Sequence, residues 1–243
     1  MRYRGHIVSD WAVWRDDVEP GHDRIHVLHF DLLANGSELE RLAATLSNEE
    51  RERAGRFVRD LDRQRFVVAH GRMRDALATM ARANPAALQF CVGAHGKPAL
   101  GAPHARLSFS LSHSHDRALL AVSVDRAVGV DIEARRGDFD WAPIARTFFA
   151  AAERDAIAQL PAPLQRDTFF ACWTRKEAYL KARGEGFLGN SKRFAVSVLP
   201  PPATSEIHDG QEVWTIADIA ADPDCAASVA WAAGSAQIVQ WTL

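Results

Sequence analysis

Between residues 107 and 112 the chain alternates strictly, with Leu107, Phe109 and Leu111 apolar and Ser108, Ser110 and Ser112 polar. A period of two belongs to a strand with one buried face, so this stretch predicts a strand. Two further strand candidates follow at Ala118 to Val124 and Ala127 to Glu133, and the three together predict an antiparallel block. An earlier strand is expected over Ile25 to Leu33, before the turn residues Asn35, Gly36 and Ser37. From Ser47 to Ala83 there is no proline, and Ser47 with Glu50 forms a capping-box signature, so helix is expected from Ser47 to the stop at Asn84 and Pro85. A second helix-rich stretch, Trp141 to Arg183, is interrupted by Pro161 and Pro163 and stopped by Gly184 and Gly186. Residues 193 to 241 read as short strands joined by turns rich in Pro, Gly and Asp.

The two helical stretches echo one another. Setting Phe66 against Phe169 pairs Arg63 with Arg166, Arg72 with Arg175 and Leu77 with Leu180. Such an echo fits two similar α+β halves with a ligand cleft between them, although two unrelated amphipathic helices give as many matches.

Composition narrows the class. The 243 residues make one large domain or two small ones, and 47% apolar with 25% charged is an ordinary globular balance. The net charge of -2 lacks the basic excess of a general nucleic-acid binder. It conceals one basic segment: Arg51 to Arg74 holds eight arginines against Glu52, Asp60 and Asp62, a local +5. On a helix this is usually a solvated face, but it is also the strongest anion-attracting stretch of the chain. Only four lysines occur, Lys97, Lys176, Lys181 and Lys192. No apolar run approaches the roughly 20 residues of a membrane span, and Met1 to Trp11 lacks the apolar core of a leader. Cys91, Cys172 and Cys225 form no paired framework, so a cytoplasmic protein with no membrane and no nucleic-acid partner is expected.

Four short segments carry candidate chemistry. In Gly129-Val130-Asp131-Ile132-Glu133 a strand sends both carboxylates to one face, where a hard divalent cation relieves their repulsion. A strand leaving the core at a solvated edge gives the same pattern. On the second helical stretch Trp173, Glu177 and Lys181 share a face; Glu177 and Lys181 there form either a surface ion pair or the third carboxylate and a phosphate-binding ammonium. Gly96-Lys97-Pro98 and Phe109-Ser110-Leu111-Ser112-His113-Ser114 supply an ammonium, a hydroxyl and an imidazole. Neighbouring residues of a strand point apart and no G-x-S-x-G elbow surrounds Ser112, which argues against a hydrolase triad.

Taken in order, the arginine helix, G-K-P, F-S-L-S-H-S, G-V-D-I-E and W-T-R-K-E-A-Y-L-K-A-R-G-E-G closely resemble the 4′-phosphopantetheinyl transferase family, in its long, Sfp-type branch. The resemblance spans roughly residues 47 to 190. It implies an α+β fold of two similar halves related by a pseudo-twofold, 1–115 binding coenzyme A and 116–243 carrying the metal site, in one monomeric chain. It implies Asp131, Glu133 and Glu177 as ligands of Mg²⁺, with Mn²⁺ an alternative. Lys181 would face the pyrophosphate of coenzyme A, and Lys97, Ser112 and His113 its phosphates and adenosine portion. Arg65 and Arg53 would lie near its 3′-phosphate. Glu50, where some relatives carry a basic residue, and Phe66, where a small hydroxyl residue can stand, depart from the family pattern. The implied activity moves the 4′-phosphopantetheine arm onto a serine of an apo acyl or peptidyl carrier protein, with Glu177 as base and Lys181 at the leaving phosphate. A silent coenzyme A-binding module and a Mg²⁺-dependent pyrophosphate hydrolase are the competing expectations.

Overall fold

The computed structural model describes residues 11–93, 96–135, 137, 139–185, 191–199, 204–232 and 234–243; the expectations for Met1 to Asp10 and for Gly186 lie outside them. Strands β1 (Ala12–Val13) and β2 (Arg24–Asp31) come first, then helices α1 (Gly36–Thr45), α2 (Asn48–Gly55) and α3 (Asp60–Ala81). A small hairpin follows, β3 (Phe90–Val92) and β4 (Pro98–Leu100), and then β5 (Leu107–Ser114), β6 (Arg117–Val124) and β7 (Val128–Ala134). Helices α4 (Ala142–Phe148), α5 (Ala151–Ala158) and α6 (Ala162–Arg183) precede strands β8 (Ser205–Asp209), β9 (Glu212–Asp218), β10 (Cys225–Ala232) and β11 (Gln237–Thr242). Among the described residues no helix is long and apolar enough to cross a membrane.

The fold is mixed α+β, with two main sheets. One has the order β1-β11-β2-β6-β5 and the other β7-β10-β9-β8. Period-two alternation assigns each strand two jobs. In the first sheet Leu28, Phe30, Leu120 and Val122 face α1 and α3, while Ile25, Val27, Leu119 and Ala121 face away from them. Those outward residues pack against Val128, Val130, Ile132, Val229 and Trp231, the corresponding face of the second sheet. The second sheet's other face, with Ile216, Ala226 and Ala230, is covered by α6 through Phe169, Phe170 and Leu180.

The expected three-strand block is corrected in one respect. β5 and β6 do pair antiparallel, but β7 leaves to pair antiparallel with β10. Its alternation cannot distinguish the two partners, because either ladder buries the same face. No ladder joins β5 to β7 among the described residues; serine side chains bridge them instead, Ser110 Oγ accepting from Val130 N at 3.2 Å and Ser114 Oγ from Ala134 N at 3.1 Å. The boundary expected at 115/116 falls in the β5–β6 hairpin, and the first sheet also takes in β11.

The helix expected from Ser47 is two helices. Its capping box forms, Ser47 Oγ accepting from Glu50 N and Glu50 Oε2 from Ser47 N, but the chain breaks between Gly55 and Asp60. There Phe57 turns inward onto Phe66, their rings 5.5 Å apart, and the backbone turns with it. Helix α1 begins inside the expected turn, started by Asn35, whose side chain caps Glu38 N. Pro161 and Pro163 do separate two helices, and they do so as the start of α6, where the missing N–H costs nothing. Gly184, at φ 70°, ends α6 as expected.

Candidate functional site

Close approach of helix and strand places the candidate carboxylates. A Cβ on Gly129 would lie 2.1 Å from Ala178 O and 2.3 Å from Ala182 N, so only glycine lets α6 rest directly on β7. That contact brings Glu177 and Lys181, one turn apart on α6, to Asp131 and Glu133. Val130 and Ile132 enter the apolar layer, and Asp131 and Glu133 turn toward α6.

At this junction Asp131 is buried. Its Oδ1 accepts from Lys181 Nζ at 2.7 Å and from Ser112 Oγ at 2.7 Å, and Lys181 Nζ donates also to Ser112 Oγ at 2.9 Å. Ser114 Oγ donates to Glu133 Oε2 at 3.0 Å. Ser112 thus lies against the carboxylates and is not among the cavity-lining residues. Burial, reinforced by the charges of Asp131 and Glu133, pushes the Glu177 carboxyl up to about 7, against the pull of Lys181. Lys181 pairs with Asp131, so the ion pair with Glu177 that the helical spacing allows is not the one formed.

Hard oxygen donors with excess negative charge fit a divalent cation by their chemistry. Asp131 Oδ2 supports that fit, being buried with no hydrogen-bond partner. As placed, however, no three His, Cys, Asp or Glu side chains among the described residues converge on a point that a metal ion could share. The ammonium of Lys181 holds the inner oxygen of Asp131 instead.

Beside the junction opens a cavity of about 780 Å³, walled by α2, α3, β5, the β3–β4 hairpin and the end of α6. Of the residues read from sequence, Arg53, Lys97, His113 and Lys181 line it; Arg65, Asp131, Glu133 and Glu177 do not. Lys97 donates from Nζ to Val128 O at 2.9 Å and Ala182 O at 3.1 Å, tying the hairpin to β7 and α6. Burial lowers its pKa to about 8. His113 is likewise held below the ordinary imidazole range, by burial first and then by the positive charge of Lys181. Arg65 is engaged by Asp116 at 2.7 Å and Asp62 at 3.6 Å.

Sequence reading missed one cluster in the cavity wall. Glu50 Oε1 lies 2.9 Å from His70 Nδ1, and Glu50 Oε2 accepts from Arg74 Nε at 2.7 Å. Those bonds, with the Ser47 N–H, overcome the cost of burial and hold the Glu50 carboxyl down to about 2. The available signal was weak: Phe66, His70 and Arg74 at spacings of four on an arginine-rich helix.

Comparison with known proteins covers most of the chain. Residues 34–125 match the family model described as 4′-phosphopantetheinyl transferase, N-terminal, and residues 127–230 that of the 4′-phosphopantetheinyl transferase superfamily. The matches thus extend beyond the stretch that the motifs marked out at both ends, beginning at residue 34 and ending at residue 230. The chain is similar to the 4′-phosphopantetheinyl transferase HetI of Nostoc sp., 35% identical over 86% of this chain and 87% of that one. It is 29% identical to a 4′-phosphopantetheinyl transferase of Bacillus subtilis over 83% of this chain and 93% of the relative. Against the Sfp protein of Bacillus subtilis the identity is 26%, over 67% and 71% of the two chains.

Proposed function

The chain belongs to the 4′-phosphopantetheinyl transferase family, and from that premise we propose how its residues perform the reaction. The enzyme transfers the 4′-phosphopantetheine moiety of coenzyme A to a serine hydroxyl of an apo acyl or peptidyl carrier protein, releasing adenosine 3′,5′-bisphosphate. The serine oxygen forms a bond to the phosphorus that carries the pantetheine arm, and the pyrophosphate P–O bond breaks. What carries the site reading is the junction at the cavity mouth, where Lys181 is shared between the cavity wall and the Asp131–Ser112 pair.

Glu177 takes the serine proton on its carboxylate. A carboxyl held near 7 is matched to that task, since near neutral pH a substantial fraction is ionised and basic enough to accept. Lys181 meets the negative charge that develops on the departing bisphosphate. Lys97 and His113 help to wall the coenzyme's phosphates and adenosine, with Arg53 at the arginine-helix side. Asp131, Glu133 and Glu177 would hold Mg²⁺, which when bound supplies positive charge to the phosphoryl oxygens. Ser112 hydrogen-bonds the site's own carboxylate, so the nucleophile is the partner's serine.

One chain supplies two related halves. Supporting this are α3 and α6, each of 22 residues. The offset that pairs Phe66 with Phe169 also pairs the capping Glu50 with Glu153, whose carboxylate accepts from Ala150 N. The halves then divide at residues 125–127, with β11 returning to the first sheet.

Incubation with coenzyme A, Mg²⁺ and several apo carrier proteins should add the mass of the phosphopantetheine arm to a carrier. Consumption of coenzyme A without that gain makes the protein a hydrolase, and neither event makes it a binding module. Glu177→Gln should slow transfer by about 10² to 10⁴-fold; transfer at the parental rate in a folded variant sinks the role given to Glu177.

A further inference from the structure

The donor carries two separate anionic groups, the pyrophosphate where bonds change and the phosphate on the ribose 3′-oxygen. With Lys181 given to the first, the second must find its cations on the wall built by α2 and α3. Three basic side chains line that wall: Arg53, His70 and Arg74. Arg74 is already committed, for it is buried and donates to Glu50 Oε2, to Pro85 O at 2.8 Å and to Leu88 O at 3.2 Å. Its charge is balanced by Glu50, and its donors hold the turn at residues 85–88.

His70 is placed differently. Its ring stacks on Phe66 with centroids 4.0 Å apart, and its Nδ1 meets Glu50 Oε1 at 2.9 Å. A carboxylate can only accept, so Nδ1 carries the hydrogen and Nε2 is the nitrogen left for a ligand. Arg53 completes the group. Its guanidinium sits 5.3 Å from the Phe66 ring centroid, and among the described residues it enters no ion pair. Phe66 therefore holds Arg53 and His70 on one aromatic support, and Glu50 sets the orientation of the imidazole.

Resting on the transferase reading above, we propose that His70 is a specificity residue for the donor's 3′-phosphate, donating from Nε2 with Arg53 as its second arm, and that Glu50 is its positioning residue. The bound imidazole then donates from both ring nitrogens, Nδ1 to the Glu50 carboxylate and Nε2 to the phosphate. This gives a reason for the two departures from the family pattern. An acidic Glu50 and an aromatic Phe66 replace direct contact by a supported histidine.

The test compares coenzyme A with 3′-dephospho-coenzyme A as donors, in the full chain with a competent apo carrier. Substituting His70→Phe should lower the ratio of the two kcat/KM values about tenfold, the size of one charge-assisted hydrogen bond. His70→Gln, which keeps an amide donor, should lower it less. Glu50→Gln should lower it through the KM for coenzyme A with little change in kcat. Parallel weakening of both donors, or an unaltered ratio in both His70 variants, overturns the assignment. Calorimetric titration with adenosine 3′,5′-bisphosphate and with adenosine 5′-monophosphate decides it without turnover: His70→Phe should weaken the bisphosphate about tenfold and the monophosphate hardly at all. A wild-type protein that binds the bisphosphate but modifies no carrier overturns the transferase reading and leaves that titration to settle His70.

Discussion

Glu50 and Glu153 perform one task in two places with different outcomes. Each stands at the third position of a short helix, accepts the backbone N–H three residues before it, and receives a buried cation from the long helix that follows, Arg74 or Lys176. The Glu153 site is sealed. Its side chain and that of Lys176 are 1% and 0% exposed, and the remaining lone pairs are used by Val196 N, while Lys176 Nζ also donates to Phe194 O. Glu50 is 14% exposed, opens on the cavity, and spends one oxygen on His70. A buried carboxylate costs free energy in both places. In one the cost is offset by fixing the 194–196 segment, and in the other the same charge is left within reach of a ligand.

Breaking the sealed pair should have the largest effect. Lys176→Met leaves Glu153 buried and unpaired, and should cost about 3 to 5 kcal/mol, read as a fall in the urea midpoint, with little change in donor KM. The double variant Glu153→Leu with Lys176→Met should recover most of that loss; failure to recover would mean that the pair's hydrogen bonds to 194–196 matter more than its charge.

Glu50 predicts a smaller, pH-dependent effect. Its folded pKa of about 2 lies below the ordinary carboxyl value of 4.5, so its contribution is fully present above about pH 4.5 and is lost as pH falls toward 2. That share is about 3 kcal/mol, and Glu50→Gln should flatten this part of the stability profile. Identical slopes for the two proteins would show that Glu50 is not ionised preferentially in the folded state.

The smallest effect should come from completing the second cap. Ala150 has no hydroxyl, so α5 has only half of the reciprocal arrangement that Ser47 and Glu50 form at α2. Ala150→Ser should stabilise by about 0.5 to 1 kcal/mol, seen as a modest rise in melting temperature. No rise would mean that the α5 N-terminus is already satisfied.

What was legible in sequence was mostly local. Ser47 and Glu50 are three residues apart, and their cap could be read directly. The alternation over 107–112 gave β5, but nothing local told β7 that its ladder partner was β10, nearly a hundred residues on. Lys176 showed no role as a motif member, because its partner Glu153 lies 23 residues away and carries no pattern of its own. His70 was passed over for the same reason: Glu50, 20 residues before it, gives it meaning only once α2 folds back on α3. The family motifs brought Asp131, Lys181 and Ser112 into one frame, and the structure adds that these three hydrogen-bond one another. The shift of Glu177 came from its burial where α6 rests on β7, a packing that has no sequence spacing.

Strand β11 has a consequence for how the chain is made. It lies between β1 and β2, parallel to both, and Trp241 Nε1 donates to His26 Nδ1 across 215 positions of sequence. On the ribosome, β2 is made long before β11, so its outer edge has no neighbour until residues 237–242 emerge. The hairpin of β5 and β6 and the helices over it can assemble while the opposite flank still shows bare N–H and C=O groups. The first sheet is therefore begun with β2 and closed only once β11 has been made, and a nascent chain stalled before β11 would expose a sticky strand at the side away from the cavity.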